Sequence, residues 1–170
     1  MVNKMLISLV AVLFGMMSFG FISANDGDYT PVPQSPDTRV AYLGQIVQEN
    51  GSLMLDADFI EWYEGEAADR VFREQEQDPE MTEAPDGYYI VNPDNTIEKL
   101  PVAADAKVFM QLYNRTGDPA EADIRWNEQI SLDKFRALLA EDGELDIKQF
   151  PYHLTMENGV ITKIVQQYVP

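Results

Sequence analysis

The chain contains no cysteine and a single histidine, and in its 170 residues only 12 lysines and arginines stand against 29 aspartates and glutamates. Without cysteine it has no disulfide, thiolate zinc site, cysteine nucleophile or lipid-modified cysteine at a mature N-terminus. The shortage of positive charge leaves a formal net charge of −17. That balance works against DNA or RNA as a partner, because affinity for a polyanion rests on Lys and Arg neutralising phosphates. Serine is scarce as well. Beyond the first 24 residues it occurs only at Ser35, Ser52 and Ser131, none inside a Gly-x-Ser-x-Gly turn, so a Ser-His triad with His153 has no support in the pattern. His153 reads as an ordinary sheet residue. A chain of this length is expected to form one domain.

One long uncharged run is present. Lys4 precedes Met5 to Ile22, which carries no charge and is followed by the small residues Ser23 and Ala24. This is the layout of a secretory signal, and it predicts cleavage after Ala24, with residues 1–24 as signal peptide. The alternative is an uncleaved N-terminal anchor, since the 18 residues from Met5 to Ile22 reach the lower limit of roughly 17 to 25 needed to span a bilayer. The mature form is expected to carry no membrane span. Residues 25–37, with Pro31, Pro33 and Pro36, read as an extended tether, and residues 38–170 as a single β-rich domain.

Asn50-Gly51 and Asn158-Gly159 each sit between apolar alternations, the signature of a two-residue type I′ hairpin. In the first hairpin, counting back from the turn pairs Gln48 with Leu53, Ile46 with Leu55, Gly44 with Ala57 and Tyr42 with Phe59 on a core face. The opposite face takes Val47 with Met54, Gln45 with Asp56 and Leu43 with Asp58. In the second, the same count pairs Met156 with Ile161, Leu154 with Lys163, Tyr152 with Val165 and Phe150 with Gln167 on the core face. His153 then lies on the other, more polar side, and Lys163 and Gln167 are blemishes in an apolar row.

Helical spacing of Ala67, Ala68, Val71 and Phe72 predicts a helix from Gly65 to Gln75, its acids gathered at the start. A second helix is expected to begin at Ser131, bury Leu132, Phe135, Leu138 and Leu139, and end at Gly143. Further strands are expected at Tyr88 to Val91, Thr96 to Leu100 and Lys107 to Tyr113, with acidic loops at Gln77 to Gly87 and Asn114 to Gln129. The order favours an α+β domain: a mainly antiparallel curved sheet or small OB-like barrel with two short helices.

The C-terminal run Tyr152, His153, Leu154, Thr155, then Glu157, Asn158, Gly159, followed by Thr162, Lys163, Ile164, Gln167, Tyr168, Val169 and Pro170, carries a resemblance. So do Tyr88, Tyr89, Asn92, Leu100 and Pro101, and the aromatic pair Trp62 and Tyr63 before the first helix. The chain resembles a family of exported or membrane-tethered proteins of Gram-positive bacteria for which no activity is known. Many members look lipid-anchored. The missing cysteine here implies instead a released or wall-retained protein, and no functional residue carries over.

Two groups of side chains are candidate sites. Trp62, Tyr63, Tyr88, Tyr89 and Trp126 include adjacent pairs whose members face opposite ways in extended backbone, so one of each pair can pack inward while the other forms a platform for a glycan or peptide. Asp56 and Asp58, two residues apart on one strand face and followed by Glu61, are the candidate calcium ligands, although the EF-hand spacing fails at Glu61 and Ala67. No cofactor is expected. These features predict an exported, acidic, non-catalytic binding or structural domain of the bacterial cell surface whose partner is a protein, a peptide or a cell-wall glycan. The alternative is a small hydrolase of an envelope substrate working through carboxylates near Asp56, Asp58 and Glu61.

Overall fold

The computed structural model describes residues 30–33, 35–77 and 80–169. The signal segment and the first part of the tether lie outside the described residues. The strands are β1 (Thr38–Glu49), β2 (Ser52–Glu64), β3 (Tyr88–Val91), β4 (Ile97–Met110), β5 (Glu128–Ile130), β6 (Tyr152–Glu157) and β7 (Val160–Gln166); the helices are α1 (Glu66–Glu76) and α2 (Leu132–Leu139). Strands β2, β1, β6, β7 and β4 are neighbours in that order, and β4 pairs back onto β2, closing a five-stranded barrel. Every pairing is antiparallel except β4 with β7. The fold is thus α+β with a barrel of the OB type. Closure, the one feature the strand pattern left undecided, satisfies edges that an open sheet would expose.

Both hairpin turns are type I′ in sign: φ is 50° at Asn50 and 83° at Gly51, and 52° at Asn158 and 79° at Gly159. Near the turns the expected partners hold, Ile46 opposite Leu55 and Met156 opposite Ile161. Farther out each hairpin slips by one residue. In β1 the shift falls between Leu43 and Ile46, so Leu43 rather than Gly44 opposes Ala57, and Tyr42 meets Asp58 instead of Phe59. Gly44 permits the irregularity, since a Cβ there would stand 3.1 Å from Asp56 Cβ. In the second hairpin the extra residue is on β7. Leu154 therefore opposes Ile164, Thr155 opposes Lys163, and Tyr152 opposes Gln166. This bulge removes Lys163 from the apolar row and moves Val165 out of it to pair with His153.

The two strands expected at 96–100 and 107–113 are one strand, β4. Pro101 stands beside Met54 in the β2 register, and the pairing with β7 jumps between Val102 and Lys107, so the irregular middle absorbs what looks like a break in sequence. The loop at 114–129 contains one short strand end, β5. Helix α2 starts as expected, with the Lys134 N–H donating to Ser131 Oγ at 3.2 Å. It ends at Ala140, before Gly143, because the Ala140 N–H already reaches the carbonyls of Arg136 and Ala137. The last residues of the tether are tied down: Met156 N–H donates to the Asp37 carbonyl at 2.8 Å.

The barrel interior holds Leu55, Ala57, Leu154, Ile161 and Ile164, plugged by Phe135 and Leu139 of α2. Helix α1 forms a separate small cluster in which Ala68 and Phe72 pack against Tyr63 and Tyr89. Strand β2 links the two. Its first half pairs with β4 in the barrel wall, and its last four residues, Glu61 to Glu64, extend beyond and pair with β3.

Candidate functional site

That extension sorts the aromatic pairs. Tyr63 stands opposite Tyr89 in the β2–β3 register, and Glu64 opposite Tyr88. Strand alternation therefore sends Tyr63 and Tyr89 to one face and Trp62 and Tyr88 to the other. On the first face Tyr89 meets Phe72 of α1 edge-on, with centroids 5.6 Å apart. The Tyr63 hydroxyl donates to Glu61 Oε2 at 2.7 Å and that of Tyr89 to Glu76 Oε1. On the second face the Trp62 and Tyr88 rings stack at 4.7 Å and 12°. Near them Trp126 meets Tyr168 edge-on at 5.2 Å.

These four rings line one cavity of about 340 Å³, whose rim includes the carboxylates of Glu64 and Asp86 and whose wall includes the Gln167 amide. All four rings are partly exposed, as a contact platform requires. Trp62 Nε1–H donates to Glu64 Oε1 at 3.0 Å, which orients both side chains. The Tyr88 hydroxyl is held above its ordinary pKa, first by burial and then by the neighbouring Asp86 carboxylate. Of the five aromatic candidates, then, Trp62, Tyr88 and Trp126 come together, while Tyr63 and Tyr89 belong to the α1 cluster.

Behind the cavity wall lies His153, only 1% exposed. It sits in a row across the outward face of the barrel, from Ile60 through Val40 and His153 to Val165. Its Nε2 is 2.8 Å from Gln167 Oε1, and the Gln167 amide nitrogen donates to the Tyr168 carbonyl at 2.8 Å. The amide oxygen accepts, so Nε2 carries the hydrogen. Burial pushes the imidazole below its ordinary pKa of 6.5, and the Lys163 charge adds to this; the Gln167 hydrogen bond and the Glu64 charge oppose it.

Four residues of the site, Glu64, Asp86, Gln167 and Tyr168, lie outside the candidates that the sequence offers. Glu64 stands among the acids at the start of the first expected helix, where the sequence suits it to the helix dipole, although its i+2 spacing from Trp62 puts both on one strand face. Tyr168 enters the sequence reading only through the resemblance, Asp86 only as part of the acidic loop, and Gln167 is expected opposite Phe150 on the core face, whereas the one-residue slip of β7 leaves its side chain bonded to His153.

The acidic candidates do not assemble. Asp56 and Asp58 share the outward face of β2, where Asp56 accepts from Gln45 Nε2 at 3.4 Å and Asp58 from Asn92 Nδ2 at 2.9 Å. Glu61 falls on the opposite face and holds Tyr63. Among the described residues no group of three or more His, Asp or Glu side chains is placed to hold a metal ion. The serines have local duties: Ser131 caps α2, and Ser35 bonds Thr38 Oγ1 at 2.9 Å. No helix among the described residues is long and apolar enough to cross a membrane.

Comparisons with protein-family models, with curated proteins and with solved structures each return no match to this chain.

Proposed function

We propose that this chain is an exported, non-catalytic binding domain of the bacterial cell surface, which holds its partner in the cavity between Trp62, Tyr88, Trp126 and Tyr168. The single observation that carries the reading is the convergence of these four partly exposed rings, from four separate stretches of sequence, on one cavity of about 340 Å³. That size lies at the lower end of small-ligand pockets, roughly 300 to 1,000 Å³, and suits one terminal group of a larger partner such as a peptide or wall glycan. Export after cleavage near Asn25, and kinship with the Gram-positive exported proteins that the C-terminal hairpin resembles, belong to the same proposal.

The reading is tested with the mature domain immobilised and exposed to solubilised cell-envelope fractions. Retention of a defined peptide or glycan fraction by the native domain, lost in a folded Trp126→Ala variant, is the expected result. Equal retention by both proteins overturns it. Mass spectrometry of the secreted protein checks the address, and a chain beginning at Met1 in the membrane fraction would replace release with anchoring.

The hydrolase alternative lacks a comparable observation, because Asp56 and Asp58 face away from Glu61 and each acid is held by a different neighbour.

A further inference from the structure

We infer that the group bound in this cavity is an alkylammonium cation, held against the open surfaces of the stacked Trp62–Tyr88 pair and the edge-to-face Trp126–Tyr168 pair and neutralised by Glu64 and Asp86. The inference rests on the binding reading above and specifies its ligand chemistry. Two observations lead to it. The cavity's walls are aromatic, and an aromatic ring presents a negative face that attracts a cation within about 6 Å of its centre, more so when the site is shielded from water. The charged side chains at its rim are both carboxylates. A neutral sugar has no charge for the two carboxylates to neutralise, whereas a cation is attracted by both acids and by the ring faces left open.

The surroundings point the same way. None of the side chains lining the cavity is cationic, and Arg115, Arg125 and Lys99 pair with Glu128, Asp123 and Glu49 away from it. The one titratable base behind the wall, His153, is kept uncharged by burial, so at neutral pH it does not compete with a bound cation. The net charge of −17 draws cations toward the domain at long range.

The chain supplies its own reporter. Its two tryptophans, Trp62 and Trp126, both line the cavity, so selectively excited tryptophan emission reads this site. The probes are choline, its uncharged carbon isostere 3,3-dimethylbutan-1-ol, and methyl glucoside, each titrated at constant ionic strength. Choline is expected to change the emission saturably, with neither neutral probe doing so. Glu64→Gln and, independently, the exposed-loop change Asp86→Asn should each weaken choline by about fivefold or more, with circular dichroism confirming that the variants are folded. Equal response to choline and its isostere overturns the cation and leaves an apolar binding pocket. Response to methyl glucoside alone overturns the cation while the binding reading stands. Silence to all three overturns the cation, and the binding reading is then decided by the envelope-retention experiment.

Discussion

The inner surface of the barrel wall and the one covered row on its outer surface bury different chemistry. Inside, Leu55, Ala57, Leu154, Ile161 and Ile164 are fully enclosed and apolar, and the polar tips of Tyr152 and Gln166 at one end are satisfied by backbone: the Tyr152 hydroxyl donates to the Ile147 carbonyl at 2.9 Å, and the Gln166 amide accepts from the Gln111 and Leu112 N–H groups at 2.8 Å and donates to the Leu112 carbonyl at 3.0 Å. Outside, the row from Ile60 to Val165 contains His153, and the covering layer contains Gln167, both enclosed almost as completely. A histidine and a glutamine satisfying each other add little net stability over two apolar groups of the same shape, while leaving either unpaired is costly. The inner surface is what a small barrel without disulfides needs in order to fold. The outer one carries a polar arrangement that stability alone does not require, and it lies directly behind an open aromatic cavity.

If that division is right, the inner surface must respond most strongly to mutation. Phe135 is fully buried where α2 plugs the barrel, and Phe135→Ala is expected to cost about 3 to 5 kcal/mol in chemical denaturation through lost burial and the cavity left behind. A loss well under 1 kcal/mol would mean that α2 does not plug the barrel and that the inner core stands without it.

Next in size is the hairpin that carries both surfaces. Gly159 has φ of 79°, and Gly159→Val is expected to cost about 1 to 3 kcal/mol because a β-branched residue is strained there. An unchanged denaturation midpoint would contradict the type I′ turn, and with it the starting point from which Leu154 is counted inward and His153 outward.

Much of this fold was legible because its turns announce themselves. Asn50-Gly51 and Asn158-Gly159 fix two hairpins, their first pairings and the face of His153, and Ser131 fixes the start of α2. What was not legible was where the count slips. A bulge adds a residue on one strand with no composition signal beyond a glycine, and at Thr162 not even that, so Tyr42, Lys163 and Val165 were assigned to the wrong side. The site was half legible for a related reason. Alternation separates Trp62 from Tyr63 and Tyr88 from Tyr89 with certainty, but which member joins α1 depends on strand pairing between distant segments. The approach of Trp126 and Tyr168 depends on barrel closure, which no local pattern encodes.

A smaller effect sharpens the contrast between the surfaces through pH. With its pKa below 6.5 in the folded protein, His153 is neutral in both folded and unfolded chains above that pH, and stability there is at its full value. As pH falls from 6.5 toward the folded pKa, the unfolded chain takes up a proton that the folded one refuses, and stability declines by at most about 1.4 kcal/mol per pH unit. Because the sequence has one histidine, the decline in this window belongs to it. Urea midpoints at about pH 7.5 and about pH 5.5 should differ in the native protein and differ less in His153→Gln. An equal difference in both would place the titrating group elsewhere and leave the outer polar arrangement without its charge-excluding role.

The smallest expected effect concerns calcium, and it decides which part of the outer surface works. Asp56 and Asp58 face outward on β2, upstream of Trp62 on the same strand face, and Asp58 Oδ1 is buried without a hydrogen bond, a feature that favours a cation. Against it, Asp58 Oδ2 already accepts from Asn92, Asp56 accepts from Gln45, and Glu61 is turned to the other face. Calcium takes six to eight oxygens, and two carboxylates with one oxygen each engaged fall short of that shell. A ligand that binds only the folded state raises stability by mass action, by about 2.7 kcal/mol at a hundredfold excess over its dissociation constant, so an occupied site would be plain in a melting experiment. Millimolar calcium is therefore expected to leave the thermal midpoint where magnesium leaves it. A rise specific to calcium and abolished by Asp58→Asn would move the functional centre of the outer surface from the aromatic cavity to the acidic stretch of β2.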